Sequence, residues 1–236
     1  MILLDAARRA SLGGQDHGDS LQQEARSFLA ARLILVRHGE TVGESSIRYH
    51  GRSDVKLSAL GCSQMRAAAQ FLAREKFARV FSSPLKRAVQ SARLIAGENA
   101  EIATVADFAE IDFGLFEGLT VEEIRARYPE HFASWNERRF EQTYAYPRGE
   151  SRADFSARVR RGLEWMLELW RAIGTDGTLQ GTALLAAHRG VIREVSRGLA
   201  GVEPRSDLGS IHILVHQEDW RAAELDIVDH LQELAG

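Results

Sequence analysis

Residues 32–41 read Arg32-Leu33-Ile34-Leu35-Val36-Arg37-His38-Gly39-Glu40-Thr41. The four successive apolar residues at 33–36 predict a short strand that is buried on both faces. This strand runs directly into Arg37, His38 and Gly39, so these three residues should lie at the carboxyl edge of a sheet. Ligands bind at that edge in open α/β folds. By itself the triplet is equally compatible with a structural histidine at a strand end, because three residues recur by chance.

The composition is that of an ordinary globular protein. The chain has 236 residues, 44% hydrophobic and 27% charged, with a formal net charge of −3. This balance gives no general attraction to nucleic acid or to an anionic membrane, so we expect neither as a partner. Any anion site must therefore be built locally from a few arginines. The single cysteine, Cys62, excludes an intramolecular disulfide and a CxxC metal site.

A cytoplasmic location is the expectation from the sequence. A single cysteine suits a reducing compartment, and no apolar run approaches the roughly 18 residues of a membrane span. The first five residues lack the basic region of a secretory signal, and Asp5 interrupts their apolar run. We expect an N-terminal extension over residues 1–31, with a short helix capped by Ser20, followed by one domain over residues 32–236.

Strands and helices alternate through this domain. Five helices are predicted from caps and apolar spacing, over residues 58–75, 85–96, 121–127, 129–140 and 151–173, and a sixth follows His188. Further strands are predicted around residues 80–81 and over 101–108, 182–187, 211–215 and 220–227. This alternation predicts a three-layer α/β/α sandwich with a mostly parallel central sheet.

A second buried strand, residues 182–187, also ends in a histidine, His188. If the two strands share an edge, His38 and His188 meet there, close to Arg37 and Arg87. Planar guanidinium groups suit a phosphoryl group. Helix N-termini after Pro84 and Gly190 would add backbone N–H donors.

As a set, these motifs resemble the histidine phosphatase superfamily, which includes cofactor-dependent phosphoglycerate mutases and fructose-2,6-bisphosphatases. The resemblance covers about residues 32–227. The matching pieces occur in family order: the stretch 33–41, residues 51–61, Ser82-Ser83-Pro84-Leu85-Lys86-Arg87-Ala88, Glu110-Ile111-Asp112-Phe113-Gly114, Glu117-Gly118, Gly149-Glu150-Ser151 and Ala187-His188-Arg189-Gly190-Val191-Ile192-Arg193.

The resemblance implies a phosphoglycerate mutase-like fold and a two-step hydrolysis. His38 would attack phosphorus and become a phosphohistidine, which water then cleaves. Arg37, Arg87 and His188 would hold the phosphoryl oxygens, and Glu110 would protonate the leaving alkoxide and then activate water. A small phosphorylated metabolite would be the partner, with no metal and no other cofactor.

Several other positions bear on the site. Asp112 and Glu117 lie in the same loop as Glu110 and compete with it for the role of the acid. Relatives commonly carry asparagine where this chain has Glu44, and a carboxylate there would repel phosphate unless it points away or pairs with Arg48 or Arg52. Arg189 separates His188 from Gly190. It would either add a phosphate contact or face solvent, and we expect it to face solvent. The candidates for contact with the leaving group are Arg48, His50, Arg52 and Arg148.

Three functions remain open at this stage. The favoured one is hydrolysis of a phosphomonoester. The alternative is mutase-type phosphoryl transfer in the same pocket, although Arg52 follows Gly51 where mutases usually carry tryptophan. The third is a non-catalytic member that binds phosphorylated ligands, which Glu44 and Arg189 make conceivable. The sequence does not identify the ester, and it leaves a homodimer open.

Overall fold

A computed structural model of the chain describes residues 31–173 and 177–234. The predicted extension and its helix lie outside the described residues, except for Ala31, which begins the first strand. Six strands are described: β1 Ala31–Arg37, β2 Phe77–Ser82, β3 Ile102–Thr104, β4 Thr182–Ala187, β5 Ile211–His216 and β6 Trp220–Ile227. Six α-helices are described: α1 Ala59–Phe71, α2 Lys86–Ala96, α3 Val121–Arg127, α4 Pro129–Arg138, α5 Arg152–Arg171 and α6 Arg189–Ala200.

All six strands form one sheet in the order β3-β2-β4-β1-β5-β6. The first four are parallel to one another, whereas β5 runs antiparallel to β1 and forms a hairpin with β6. The sheet is therefore mostly parallel, as predicted. Because β1 and β4 are parallel neighbours with Arg37 opposite Ala187, their carboxyl ends coincide.

The two faces of the sheet carry separate hydrophobic cores. Alternate residues of the central strands, such as Ile34 and Leu184, pack with α1 and α2 on one face. Their neighbours, such as Leu33 and Leu185, pack with α5 and α6 on the other. A strand buried on both faces needs apolar residues at every position, which explains the continuous apolar runs in β1 and β4. The predicted three-layer α/β/α sandwich is confirmed.

Some element ends differ from the prediction. Helix α1 ends at Phe71 instead of residue 75, because Leu72 turns into the core and Glu75 reaches Arg32 at 2.8 Å. Strand β3 stops at Thr104 instead of residue 108, since the chain turns there to bury Phe108. Helices α4 and α5 each end two residues early, and Leu85 is the N-cap of α2.

Within the described residues, no helix combines the length and the apolar character needed to cross a bilayer.

Candidate active site

The carboxyl ends of β1 and β4 bring His38 and His188 together. Their ring centroids lie 5.1 Å apart, in an edge-to-face arrangement. Both side chains are buried, and the backbone N–H of His38 donates to the carbonyl of Ala187, which continues the pairing of the two strands. Two parallel strands with histidines in register therefore place both imidazoles in one site.

The surroundings of His38 keep its imidazole neutral. Nδ1 lies 2.7 Å from the carbonyl of Gly39, so Nδ1 carries the proton and donates it. Nε2 accepts from the Nε–H of Arg87 at 3.2 Å and therefore holds a lone pair. Burial, followed by the positive charges of Arg87 and Arg37, lowers the pKa of His38 well below its ordinary value.

Arg87 connects His38 to the loop after β1. It is fully buried, and its two terminal nitrogens donate to the carbonyls of His50, Gly51 and Ser53 at 2.8–2.9 Å. Burial lowers the pKa of this guanidinium, while the charge of Glu110 raises it. Arg87 thus fixes the backbone of residues 50–53 relative to His38.

Arg37 lies on the other side of the site. Its Nη1 donates to the carbonyl of Ser206 at 2.8 Å, whereas its buried Nε has no hydrogen-bond partner among the described residues. Burial, reinforced by the charge of Arg189, lowers its pKa to about 10, which leaves the guanidinium protonated at neutral pH. A buried N–H without a partner is costly, so this atom is suited to a ligand oxygen.

His188 also has one nitrogen bonded and one free. Nε2 lies 2.7 Å from the hydroxyl of Ser83, which already accepts from the N–H of Leu85. We therefore infer that the hydroxyl donates to Nε2 and that the imidazole proton sits on Nδ1. Nδ1 is buried without a hydrogen-bond partner in the described part of the chain. Burial and the charge of Arg87 lower the pKa of His188 well below its usual value.

Glu110 enters the site from the loop after β3. The carboxylate accepts from the backbone N–H of Ile111 at 3.0 Å and from that of Gly190 at 3.1 Å. It is largely buried and lines the same cavity as Arg37 and His38. A side chain at position 190 would displace it, because a Cβ there would lie 2.4 Å from Oε1.

The two carboxylates that compete with Glu110 have structural partners instead. Glu117 accepts from the backbone N–H groups of Gly51, Arg52 and Ser53 at 2.9–3.2 Å, so it orders the same loop that Arg87 holds. Asp112 accepts from the N–H of Gly114 at 2.8 Å within its own turn. Neither carboxylate lines the cavity.

Arg158 supports the Glu110 loop and was not singled out from the sequence. It lies on α5, pairs through two nitrogens with Glu150 at 2.6 and 2.8 Å, and donates to the carbonyls of Asp107, Ala109 and Glu110. Arg158 could have been identified from the sequence, because it lies on the buried stripe of a helix and a buried charge needs partners of opposite charge or hydrogen-bond acceptors.

One backbone N–H group at each predicted helix N-terminus is bonded to a carboxylate. Helix α6 begins at Arg189, and the N–H of Gly190 is bonded to Glu110. At the start of α2, the N–H of Lys86 donates to Asp54 at 2.7 Å. These two N–H groups fix carboxylates, and the unpartnered donors of Arg37 and His188 described above come from side chains.

Residues 33–225 match the histidine phosphatase superfamily (branch 1). The match covers most of the chain. The chain belongs to the histidine phosphatase superfamily.

Two relatives and one solved structure illustrate the likeness. Phosphoserine phosphatase 1 of Hydrogenobacter thermophilus is 33% identical over 212 residues, 86% of this chain and 95% of that protein. A bifunctional protein of Mycobacterium tuberculosis is 38% identical over 159 residues, 66% of this chain, and the chain spans only 41% of its length. The alpha-ribazole phosphatase of Shigella flexneri has a TM-score of 0.71 at 25% identity, covering 83% of this chain and 96% of that structure.

The solved structure confirms the predicted phosphoglycerate mutase-like fold, and the family match confirms the predicted membership of the histidine phosphatase superfamily. The two relatives named as phosphatases carry the names of different substrates. A substrate for this chain must therefore be inferred from its own residues.

Glu44 departs from the superfamily pattern without placing a charge in the site. Its backbone is left-handed, with φ of 61°, and its exposed carboxylate lies 3.7 Å from the Nε of Arg48. Glu44 does not line the cavity. The expected repulsion of phosphate is thus avoided by pairing with Arg48, one of the two arginines named from the sequence.

The structure separates the four candidates for contact with the leaving group. Arg48 and His50 line the cavity, but Arg48 is bonded to Glu123 at 2.5 Å. His50 has Nε2 at 2.8 Å from the carbonyl of Gly43 and a buried, unpartnered Nδ1 within the described residues. Arg52 is exposed, and neither it nor Arg148 lines the cavity.

Arg189 is half exposed and also lines the cavity. Its guanidinium donates to the carbonyl of Ser206 at 3.3 Å and to Asp207 at 3.4 Å. The expectation that it only faces solvent is therefore incomplete, because its side chain forms part of the cavity wall.

Proposed function

We propose that this chain is a phosphomonoesterase of the histidine acid phosphatase type, which hydrolyses a small phosphorylated metabolite at a catalytic domain over residues 32–236. The observation that carries the proposal is the state of His38, whose Nδ1 is tied to the Gly39 carbonyl while Nε2 holds a lone pair. A histidine nucleophile needs that lone pair. The single cysteine supports a cytoplasmic location.

In the first step, Nε2 of His38 attacks phosphorus and the bond to the leaving oxygen breaks. The Nε–H of Arg87, which bonds Nε2 in the free protein, turns to a phosphoryl oxygen. The unpartnered Nε–H of Arg37 and Nδ1–H of His188 bind the other oxygens. Glu110, in its protonated form, gives its proton to the leaving oxygen.

In the second step, water attacks phosphorus and the bond to Nε2 breaks. Glu110 accepts the proton of that water, and His38 returns to its neutral form with the proton on Nδ1. Donors placed before the reaction typically contribute about 10²–10³ each in rate. The Glu110 carboxylate lies between the N–H of Gly190 and the cavity that holds His38, which suits both proton transfers.

Trapping the phosphoenzyme tests this proposal. We expect wild-type protein to release phosphate from p-nitrophenyl phosphate and, after rapid quenching with a ³²P-labelled ester, to carry an acid-labile, alkali-stable label. His38→Asn should lose both the release and the label. His131→Asn, which changes an exposed histidine on α4, is the matched control and should retain both.

Two results would contradict hydrolysis. Interconversion of phosphoglycerate isomers with a bisphosphate primer and without free phosphate would show a mutase. Binding of phosphate esters without release from any of a panel of metabolites would show a non-catalytic member.

A further inference from the structure

The cavity of about 470 Å³ holds more positive charge than one phosphoryl group requires. Six arginines line it against three glutamates, in a chain whose net charge is −3. The arginines are Arg37, Arg48, Arg152, Arg189, Arg193 and Arg197, and the glutamates are Glu110, Glu194 and Glu203. The positive charge is thus concentrated at this site.

Three of these arginines have carboxylate partners in the protein. Arg197 pairs with Glu194 at 2.5 Å and with Glu203 at 2.7 Å. Arg48 pairs with Glu123, and Arg189 with Asp207. Arg37 belongs to the phosphoryl site already described. Arg152 and Arg193 therefore remain as cations of the cavity without a carboxylate partner among the described residues.

Arg152 makes no hydrogen bond or ion pair through its side chain with any residue that the structure describes. Its Nε is nevertheless buried. It is the first residue of α5, and Phe155 from the next turn lines the same cavity. A buried guanidinium N–H that lacks a partner destabilises the protein, so a ligand oxygen there would be favourable.

Arg193 lies one turn into α6, the helix that packs beside α5. Its Nε donates to the carbonyl of Pro204 at 3.0 Å, which fixes the side chain. Its two terminal nitrogens have no bond to a described residue, so they can meet a ligand. Arg193 is thus a cation already held in place on the wall formed by α5 and α6.

The rest of the cavity wall suits a ring or another apolar body. Five aromatic residues line it: Tyr49, Phe113, Phe140, Tyr146 and Phe155. Phe140 is 75% exposed at the rim and Ile47, also at the rim, is 56% exposed, so both have apolar surface free for a ligand. Such surfaces bind the apolar part of a ligand, while a few polar groups fix its orientation.

We propose that Arg152 and Arg193 form an outer anion site, and that the alcohol part of the substrate carries a second anionic group, a carboxylate or a phosphate, which this site binds. The inference rests on the proposed phosphomonoesterase activity. It assigns the transferred phosphoryl group to Arg37, Arg87 and His188 and the second anion to the outer anion site.

Three para-substituted phenyl phosphates test the outer anion site. Their substituents are carboxymethyl, phosphonomethyl and the neutral carbamoylmethyl, and the methylene keeps the leaving phenols similar. We expect kcat/KM for at least one anionic ester to exceed that for the amide by about tenfold, mainly through KM, since charge-assisted hydrogen bonds are the strong ones. The anionic ester with the larger advantage identifies which anion the site receives.

The anion-to-amide ratio of kcat/KM should fall towards one in Arg152→Gln and further in Arg152→Gln/Arg193→Gln. Arg160→Gln, an exposed arginine on α5 outside the cavity, should keep the wild-type ratio. A wild-type ratio near one, or an unchanged ratio in Arg152→Gln, would overturn the inference. Because the ratio is taken within each variant, partial loss of folded protein does not affect it.

Calorimetry with the corresponding benzylphosphonates separates this inference from the proposed function, since it needs no turnover. If the anionic analogues bind more tightly than the amide, if this difference depends on Arg152, and if no ester is hydrolysed, the outer anion site is supported and the phosphomonoesterase activity is contradicted. If all three esters are hydrolysed with equal kcat/KM, the phosphomonoesterase activity is supported and the outer anion site is contradicted.

Discussion

The proton positions on the two histidines follow from single neighbouring atoms. The Gly39 carbonyl holds the proton of His38 on Nδ1, and the Ser83 hydroxyl holds that of His188 on the nitrogen that faces no protein group. In the proposed mechanism, one imidazole is thereby prepared as a nucleophile and the other as a donor. Burial, together with the charges of Arg87 and Arg37, lowers the pKa of both rings well below the usual value, so both imidazoles are neutral near neutral pH.

Glu110→Gln tests the acid at the scale of one residue. The amide keeps an oxygen for the Gly190 N–H but cannot supply a proton. We expect kcat/KM for an alkyl phosphate, whose leaving group needs that proton, to fall about 10²–10⁴-fold. The loss for p-nitrophenyl phosphate should be much smaller, because p-nitrophenolate leaves unprotonated. Phosphate release for both esters is the measurement.

Asp112→Asn is the matched control for Glu110→Gln, since that carboxylate bonds Gly114 and lies outside the cavity. It should leave the ratio of the two esters at its wild-type value. Equal losses for both esters in Glu110→Gln would assign Glu110 a structural role and leave the acid unidentified.

At the scale of elements, the junction of β4 and α6 positions three parts of the site. The strand end supplies His188, the first turn of the helix supplies the N–H that anchors Glu110, and the same helix carries Arg193. The junction requires glycine at position 190, where a Cβ would lie 2.4 Å from Glu110 and 2.9 Å from Phe155.

Gly190→Ala should therefore displace Glu110 and lower kcat for an alkyl phosphate by at least about tenfold, because misplacing a reacting group by about 1 Å can cost 10²-fold. Gly198→Ala on the same helix is the control. Its Cβ would meet Leu163 at an ordinary 3.6 Å, so it should keep kcat and stabilise the helix by about 0.5–1 kcal/mol. Wild-type kcat in Gly190→Ala would show that the Glu110 carboxylate tolerates displacement.

The same junction shows how far sequence reasoning reaches. The strands that end in His38 and His188 were predictable, because continuous apolar runs are required of strands buried on both faces. The end of α1 was not, since it depends on Glu75 meeting Arg32, which is 43 residues away in the chain. Arg158 and the unpartnered Arg152 were missed for a related reason. The role of a charged side chain depends on which partners the tertiary fold brings to it, and the sequence does not show them.

At the scale of the whole molecule, three of the histidines that the structure describes are buried and have lowered pKa values. Burial is the largest cause for His38, His188 and His212. His212 on β5 accepts from the Asp226 N–H at 3.0 Å and faces the hydroxyls of Ser206 and Ser210. Since the Ser206 carbonyl holds Arg37, this network joins the β5–β6 hairpin to the phosphoryl site.

Stability should consequently fall in acid. The pKa of His212 is lowered from 6.5 to about 4, so between these values the unfolded chain binds a proton that the folded chain does not, and the free energy of unfolding decreases as pH falls. At pH 4.5 the protonation of His212 in the unfolded chain lowers the free energy of unfolding by about 2.5 kcal/mol. Urea unfolding at pH 7.5 and 4.5 measures how much free energy of unfolding is lost in acid. This loss should be smaller in His212→Gln than in wild type by about that amount.

His131→Gln, an exposed site on α4, is the control and should lose as much free energy of unfolding as wild type. Equal losses in His212→Gln and wild type would mean that His212 takes up its proton at the same pH in the folded and the unfolded chain. The hydrogen bonds of His212 would then contribute nothing to the acid sensitivity of the fold.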